Sequence, residues 1–355
     1  MERVDQCTIV RVNDPKLWDR FVAASPVSHY CHLFNWGRII QEVYHHEAVY
    51  LGAEDSGCSS PFRRLRGVFP LVRFRPALGK NRYISIPFFD QAGVLAGTPS
   101  IEAELLGKGL ELAHGIGSIL EIRQKTPTKI NGSIPPVPAP STVAEHKVNL
   151  SLPLGVSSEA LLVSFKSKLR SQIRKGLKNG LTARIGKQEL IRPFYRVFSR
   201  NMRDLGSPVH AIEFFNAIFE YFHARAFICI VNHGIEPVAA GFMFRFRDTL
   251  YNPWASSLRP FRHLNANMVL YWEMIRFSCR LGMAHFDMGR STRGASTYWF
   301  KKQWSPTETP LYWNSWFPPG VLGNPEETLC IRPWKRLPLI AANALGPLVR
   351  RNISL

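Results

Sequence analysis

Five prolines, Pro127, Pro135, Pro136, Pro138 and Pro140, crowd the stretch 126–144. Proline lacks an amide hydrogen and fixes φ, so this stretch can hold neither a helix nor a central strand. It reads as a loop, and it falls well inside a chain of 355 residues that is long enough for two domains. A domain boundary is expected shortly after it. The expected division is 1–146, 147–316 and a basic, apolar tail at 317–355.

On both sides of the loop, apolar residues recur with helical and with strand spacing. Leu17, Phe21 and Val22 begin one amphipathic helix, and Trp36, Ile39, Ile40 and Val43 mark a second. Strands are expected at 48–53, 67–74 and 83–89, the first two separated by a hairpin loop containing Asp55, Gly57, Ser59, Ser60 and Pro61. A helix at 100–114 and a strand at 119–124 complete the first half. The second half reads as a strand at 147–152, one long helix at 158–179, and helices at 191–204 and 213–223. Strands at 226–231, 237–246 and 249–256, a helix at 268–281 and strands at 284–288 and 311–315 follow. Both halves interrupt a meander of strands with helices, which fits a duplicated unit of the mixed α/β class.

Charge narrows the partner. The chain has 45 Lys plus Arg against 26 Asp plus Glu, a net +19, and so strong a positive field concentrates polyanions, phosphorylated ligands or acidic membrane surfaces. No stretch approaches ~20 uninterrupted apolar residues, which argues against a membrane-spanning helix. Glu2, Arg3 and Asp5 precede no apolar run, so no secretory leader is expected and a cytoplasmic location is. The six cysteines, Cys7, Cys31, Cys58, Cys229, Cys279 and Cys330, include no C-x-x-C pair. They read as free, buried thiols, with neither a metal site nor a disulfide framework. There is no G-x-S-x-G, H-E-x-x-H or G-x-x-x-x-G-K-[ST], so hydrolase, zinc protease and P-loop readings have no support.

Four regions could carry chemistry. In SFKSKLRSQIRKG, at 164–176, Leu162, Phe165, Leu169 and Ile173 form one apolar stripe, surrounded by Lys166, Lys168, Arg170, Arg174, Lys175 and, later, Lys178. No acidic residue lies between Glu159 and Glu189 to pair with them. This is either a solvated face or a phosphate-binding one, where arginine offers a bidentate fork. In FSRNMRDLGSP, at 198–208, Gly206 and Pro208 end a helix, while Asn201, Arg203 and Asp204 could orient a polar ligand. Further on, Asn267 suits the N-cap of a helix starting at Met268, and Asn265 tolerates a left-handed backbone. Such a helix start gathers N–H groups and favours anions. Last, Asp287 is read as closing a short strand before a loop with Gly289, Arg290 and Ser291, followed by Tyr298, Lys301 and Lys302. Asp287 as a plain loop cap is the competing reading there.

The order of these motifs resembles that of the FemAB family of acyl and aminoacyl transferases, most closely its members associated with exosortase and PEP-CTERM systems. The similarity runs through GVFPLVRFR, ISIPFFDQAGVLA, SKLRSQIRKGLKNGL, FSRNMRDLGSP, PVAAGFMFRF, NPWASSL, FDMGRST and TYWFKKQW. It implies an α/β fold of two tandem GNAT-like (acyl-CoA N-acyltransferase-like) domains, each a mixed twisted sheet flanked by helices. It also implies transfer of an activated acyl group to an amine on a cell-envelope or exopolysaccharide precursor, without a covalent enzyme intermediate. On this resemblance Asp287 would accept the amine proton, with Arg290 and Lys301 facing developing negative charge. Lys168, Arg170, Arg174, Asn201, Arg203, Trp254, Ser256, Asn265, Asn267 and Tyr298 would bind donor or substrate. No permanently bound cofactor is expected; acyl-CoA or aminoacyl-tRNA would be the phosphate-bearing co-substrate. Where GNAT enzymes show R/Q-x-x-G-x-G/A, this chain has Arg262, His263, Leu264, Asn265, Ala266 and Asn267. Asparagine crowds the close approach of a pyrophosphate, which leans toward aminoacyl-tRNA. The coiled-coil arm of the peptidoglycan-bridge enzymes is missing, which weakens that lean, so the donor stays open.

Two other classes compete. A binding protein for an anionic polymer could keep the fold without the activity; DNA is not the expected partner. The tail at 332–355 combines Trp334, Leu337, Leu339, Ile340, Leu345, Leu348 and Val349 with Lys335, Arg336, Arg350 and Arg351. It either packs on the body or touches the inner membrane peripherally, and Pro333, Pro338 and Pro347 limit its helix.

Overall fold

The computed structural model describes residues 7–55, 64–77, 79–127, 137–155, 157–319 and 332–354. The hairpin loop expected at 56–61, with Cys58, and also Pro135, Pro136 and Cys330 lie outside the described residues. The chain divides into two units. One takes Met1–Glu145, Pro310–Thr328 and Arg351–Leu355, and the other His146–Thr309 and Leu329–Arg350.

The first unit opens with β1 (Cys7–Arg11) and α1 (Pro15–Ala24), started by Asp14, whose Oδ1 accepts from Lys16 N–H, and by Pro15 at the first helical position. Next come α2 (Asn35–Tyr44), β2 (Glu47–Asp55), β3 (Leu65–Phe74), β4 (Arg82–Ile84) and β5 (Leu95–Ala96). They are followed by α3 (Pro99–His114), capped by Thr98, then β6 (Ile119–Gln124) and β7 (Thr142–Ala144). The strand expected at 83–89 stops at Ile84, because Ile86 and Phe88 take positive φ and turn the chain out of the sheet.

The second unit contains β8 (Lys147–Pro153), α4 (Ser158–Ser164), α5 (Ser167–Lys178), β9 (Leu181–Gly186), α6 (Ile191–Leu205) and α7 (Ile212–Phe222). After these come β10 (Ala226–His233), β11 (Glu236–Phe246), β12 (Thr249–Ser257), α8 (Ala266–Arg280), β13 (His285–Thr292), α9 (Ser296–Lys302) and β14 (Thr307–Pro310). The chain then adds β15 (Tyr312–Trp316) and α10 (Leu339–Arg350). The single helix expected at 158–179 is broken. Phe165 and Lys166 adopt extended backbone, which turns the Phe165 ring into the core against Trp272 and Trp304.

The sheets share one plan. The first runs β1-β2-β3-β4-β6-β15-β7, with β5 beside β3, and the second runs β9-β10-β11-β12-β13-β8-β14 when read in the matching direction. Each holds antiparallel strands and a parallel pair joined by a crossover helix, β4 with β6 through α3 and β12 with β13 through α8. The strand at 312–316, expected in the second domain, pairs with β6 and β7 and belongs to the first sheet. Its partner lies almost two hundred residues upstream, a pairing that local pattern does not encode. The tail is divided too: α10 lies in the second unit and 351–354 in the first. The four described cysteines are free. Among the described residues no cluster could hold a metal ion, and no helix is long and apolar enough to cross a membrane.

The segment 351–354 lands where β4 and β6 part. His46 Nε2 meets Arg351 O at 2.7 Å, Phe88 N–H donates to Ser354 O at 2.7 Å, and the Arg123 guanidinium donates to Ser354 O and Oγ, each at 3.0 Å. Arg123 is wholly buried and also donates to Glu121 and Phe89 O. Burial alone would raise the Glu121 pKa, but Arg123 and Arg82 hold it below its ordinary value. Replacing Arg123 by Met strips this buried carboxylate of its main counter-charge. A loss of about 3–5 kcal/mol is expected in the urea unfolding free energy.

Candidate active site

The second sheet opens in its middle, and two bulges are the reason. Between Phe242↔Trp254 and Phe244↔Tyr251, β12 carries one residue more than β11, at Asn252 and Pro253. Between Asp287↔Ser151 and Arg290↔Asn149, β13 carries one more than β8, around Gly289. A bulge bends its strand and increases the twist. The parallel ladder of β12 and β13 accordingly covers only Thr249↔His285, Leu250↔Phe286 and Tyr251↔Asp287. Beyond it the two strands continue unpaired with each other, and a wedge edged by backbone N–H and C=O groups lies between them. Gly289, at φ +70°, faces Asn252 O, and a side chain there would be strained by the left-handed backbone.

The bulge in β13 is clamped chemically. Asp287, only 3% exposed, accepts from Gly289 N–H through Oδ1 and from Asn149 Nδ2 through Oδ2, both at 2.7 Å. Lys301, 8% exposed on α9, donates to Gly289 O at 3.2 Å and Arg290 O at 2.7 Å. Carboxylate and ammonium thus grip opposite sides of one peptide segment. Asp287, Arg290 and Lys301 lie around one peptide segment, but not in the anticipated setting. Asp287 does not close a strand; β13 runs on to Thr292, so Arg290 and Ser291 are strand residues. The Lys301 ammonium is committed to two carbonyls.

One wall of the wedge lies on the sheet face away from α8. Phe286, Met288, Val148 and Leu150 point into the core on the α8 side; Asp287 and Asn149 alternate with them and face the other way. On that same face Asn201 Nδ2 donates to Ser256 Oγ at 3.0 Å, tying α6 to β12. The Trp254 ring meets Phe214, Phe215 and Phe242 edge-on at 5.3–5.6 Å. Asn201, Trp254 and Ser256 therefore share one region with Asp287. Arg203 does not point there: it pairs with Asp204 at 2.7 Å and donates to Leu337 O at 3.1 Å.

The chain leaving β12 leads to α8, which packs along α5. Gly176 makes that approach close, since a Cβ there would sit 2.5 Å from Val269 Cγ2. Asn265, at φ +62°, occupies the cap position of α8 in the left-handed conformation expected of it. The helix begins at Ala266, so Asn267 is its second residue and not its cap, and no side chain caps the first turn. Lys168 and Arg174 are exposed on α5. Arg170 is spent on the break before α5, donating to Val163 O at 2.7 Å and Phe165 O at 3.0 Å. Tyr298 donates to Glu308 Oε2 at 2.8 Å, and the same carboxylate is held below its ordinary pKa by its hydrogen bond from Arg293. Tyr298 is thus tied to the β14 side of α9. Burial pushes the Cys229 thiol far up, and the Cys279 thiol up as well, so neither is an activated nucleophile.

Asn149 and Asn252 escaped the sequence reading, and Ser291 was named there only as a loop residue. All three are buried beside the opening, and Asn149 Oδ1, Asn252 Oδ1 and Ser291 Oγ have no hydrogen-bond partner. Asn252 Nδ2 meanwhile holds Phe242 O and Trp254 O across the bulge of β12. The available signal was Asn-Pro inside a strand, which marks a bulge, and a lone asparagine in the apolar run of β8.

Comparison with known proteins agrees with this topology. Residues 164–302 match the family model described as an acetyltransferase (GNAT) domain. No curated protein matches the chain in sequence. Among solved structures, a crystal structure of FemX superposes with a TM-score of 0.63 at 14% identity, covering 86% of this chain and 96% of that one. L-PGS from Bacillus licheniformis gives 0.53 at 11% identity, over 87% and 93% of the two chains. A tandem GNAT protein from the clavulanic acid biosynthesis pathway gives 0.52 at 11%, over 87% and 98%. The fold is thus mixed α/β with tandem GNAT-like architecture, and the matched domain is of acyltransferase type.

Proposed function

We propose that this protein is a FemAB-type N-acyltransferase, carrying an aminoacyl or acyl group from aminoacyl-tRNA or acyl-CoA to an amine on an envelope or exopolysaccharide precursor. The observation that carries the reading is the parting of β12 and β13 after three paired positions. It leaves two unpaired strand edges that can hydrogen-bond a linear, amide-bearing donor. The uncapped first turn of α8 follows β12 and offers N–H groups to the donor's phosphates, with Lys168 and Arg174 exposed on the adjoining α5. Asn265 and Asn267 stand in that turn in place of glycine, which favours aminoacyl-tRNA over acyl-CoA. Exposed lysine and arginine would add affinity for tRNA by counterion release.

An aminoacyl ester or acyl thioester is already activated, so the protein has mainly to hold donor and amine together and meet the oxyanion. In the proposed step the amine nitrogen attacks the acyl carbon. The C–O or C–S bond then breaks, and the amine proton passes through Asp287 to the departing oxygen or sulfur. The hydrogen bonds from Gly289 and Asn149 that orient Asp287 support this role, with Trp254 and Ser256 proposed for the acceptor side. Lys301 is better read as a positioning residue that keeps the Gly289–Arg290 carbonyls aligned. Either donor places the reaction in the cytoplasm. The link to exosortase systems, and with it an exopolysaccharide acceptor, rests on the sequence resemblance.

The commitment of Lys301 to main-chain carbonyls, with Lys168 and Arg174 left exposed, favours a second reading, a binding protein for an anionic polymer without activity. Native mass spectrometry with charged tRNA and an acyl-CoA panel, followed by transfer to model amines, separates the two. One donor bound per chain and acyl transfer are expected. Binding of neither donor overturns the transferase reading.

A further inference from the structure

The helix α10 has two faces of different fate. Ala342, Gly346 and Arg350 are buried. A Cβ on Gly346 would sit 2.7 Å from Val209 Cγ1, and Arg350 Nε donates to His210 Nε2 at 3.2 Å. The Arg203 guanidinium on α6 holds Leu337 just before the helix. The segment is therefore packed on its unit, and in that position it presents a second apolar face outward. Ile340, Ala344 and Leu348 follow at four-residue spacing, one row on a helix, with Leu345 beside them. Ile340 is 85% exposed, Leu348 58% and Leu345 46%.

Charge identifies what this face fits. Lys335 and Arg336 are exposed just ahead of it, and positions 328–355 contain five Lys or Arg and no Asp or Glu. A helix of 12 residues is about 18 Å long and presents roughly 200 Å² on one face. That is far below the ~800 Å² per partner of a stable protein interface, and a second copy would bring the same positive charge. An anionic bilayer meets both features, because aliphatic side chains enter the acyl boundary while lysine and arginine meet the headgroups.

We propose that α10 docks the protein on anionic membrane surfaces through Ile340, Leu345 and Leu348, with Lys335 and Arg336 at the headgroups. This contact is independent of the donor chemistry proposed above and stands or falls without it.

Co-sedimentation of the full chain with vesicles of phosphatidylcholine, with and without phosphatidylglycerol, tests it. Retention on the anionic vesicles, at least tenfold above the neutral ones and reduced by salt, is the expected result. The exposed double variant Ile340→Glu/Leu348→Glu should lose at least tenfold of that retention with an unchanged circular dichroism spectrum. Ile235→Glu, an exposed site on another turn, should lose none. Equal retention of both variants overturns the proposal, as does absence of wild-type retention. So does a dimer that the double variant abolishes, which would make a second copy the occupant.

Discussion

Lowering the pH from 7 to 5 is expected to destabilise the fold, by about 2 kcal/mol through His32 alone, against the ~5–15 kcal/mol that holds a typical domain together. Four buried histidines are responsible. Burial pushes His32 down to about 4 from 6.5, holds His29 and His210 well below that value and lowers His46 as well. Neighbouring cations reinforce burial, Lys125 at His29 and Arg350 at His210. Above pH 6.5 these residues are neutral in both folded and unfolded chains, and the folded state is not penalised. Below it the unfolded chain takes up protons that the folded one refuses, at about 1.4 kcal/mol per unit for each histidine. The stability is thus present above pH 6.5 and is lost as pH falls toward 4. Urea midpoints should fall between pH 7 and 5, and His210→Gln should make that fall smaller. A flat profile would mean that the buried rings are charged in the folded protein.

Replacing Asp287 by Asn is expected to leave the fold intact and to lower acyl transfer by about 10²–10⁴-fold. The local hydrogen bonds explain why the fold should survive. The substituted amide would keep one acceptor for Gly289 N–H and turn its NH₂ toward Asn149. Asn149 has an Oδ1 without a partner and can rotate its own amide to receive it. Only the negative charge and its proton affinity would be lost. Asp287→Ala, by contrast, leaves two buried donors unsatisfied, at about 2–4 kcal/mol of stability, and does not separate structure from chemistry. Single-turnover transfer from a bound donor is the measurement. Unchanged turnover in Asp287→Asn would assign this carboxylate to holding the bulge alone.

Much of the architecture was legible because it is local. Leu169 and Ile173 at helical spacing do form the buried stripe of α5, and the 226–231, 237–246 and 249–256 runs form β10, β11 and β12 with nearly those bounds. Phe165 is buried with them as expected, but from the break before α5 and not from the helix itself, because an apolar residue just before a helix looks the same as one inside it. The candidate site was legible by residue type and not by role. Asp287 stood out as a carboxylate in a strand, yet its partners, Asn149 and Gly289, depend on a bulge and on a strand 138 residues away. Arg170, Arg203 and Lys301 were chosen as cations for a ligand. Each instead satisfies main-chain carbonyls left open by a helix break, a tail segment or a bulge.

The amino-acid sequence by itself determined the class of the fold, the proline-rich interruption and the basic character of the chain. Those properties follow from residue periodicity, backbone chemistry and counting, and need no knowledge of neighbours. Only the tertiary structure decided which sheet β15 joins, where β12 and β13 part, which cations are already committed and which face of α10 is left outside. Each of these depends on hydrogen bonds or packing between residues distant in the chain, where one extra residue in a strand shifts every later side chain to the other face.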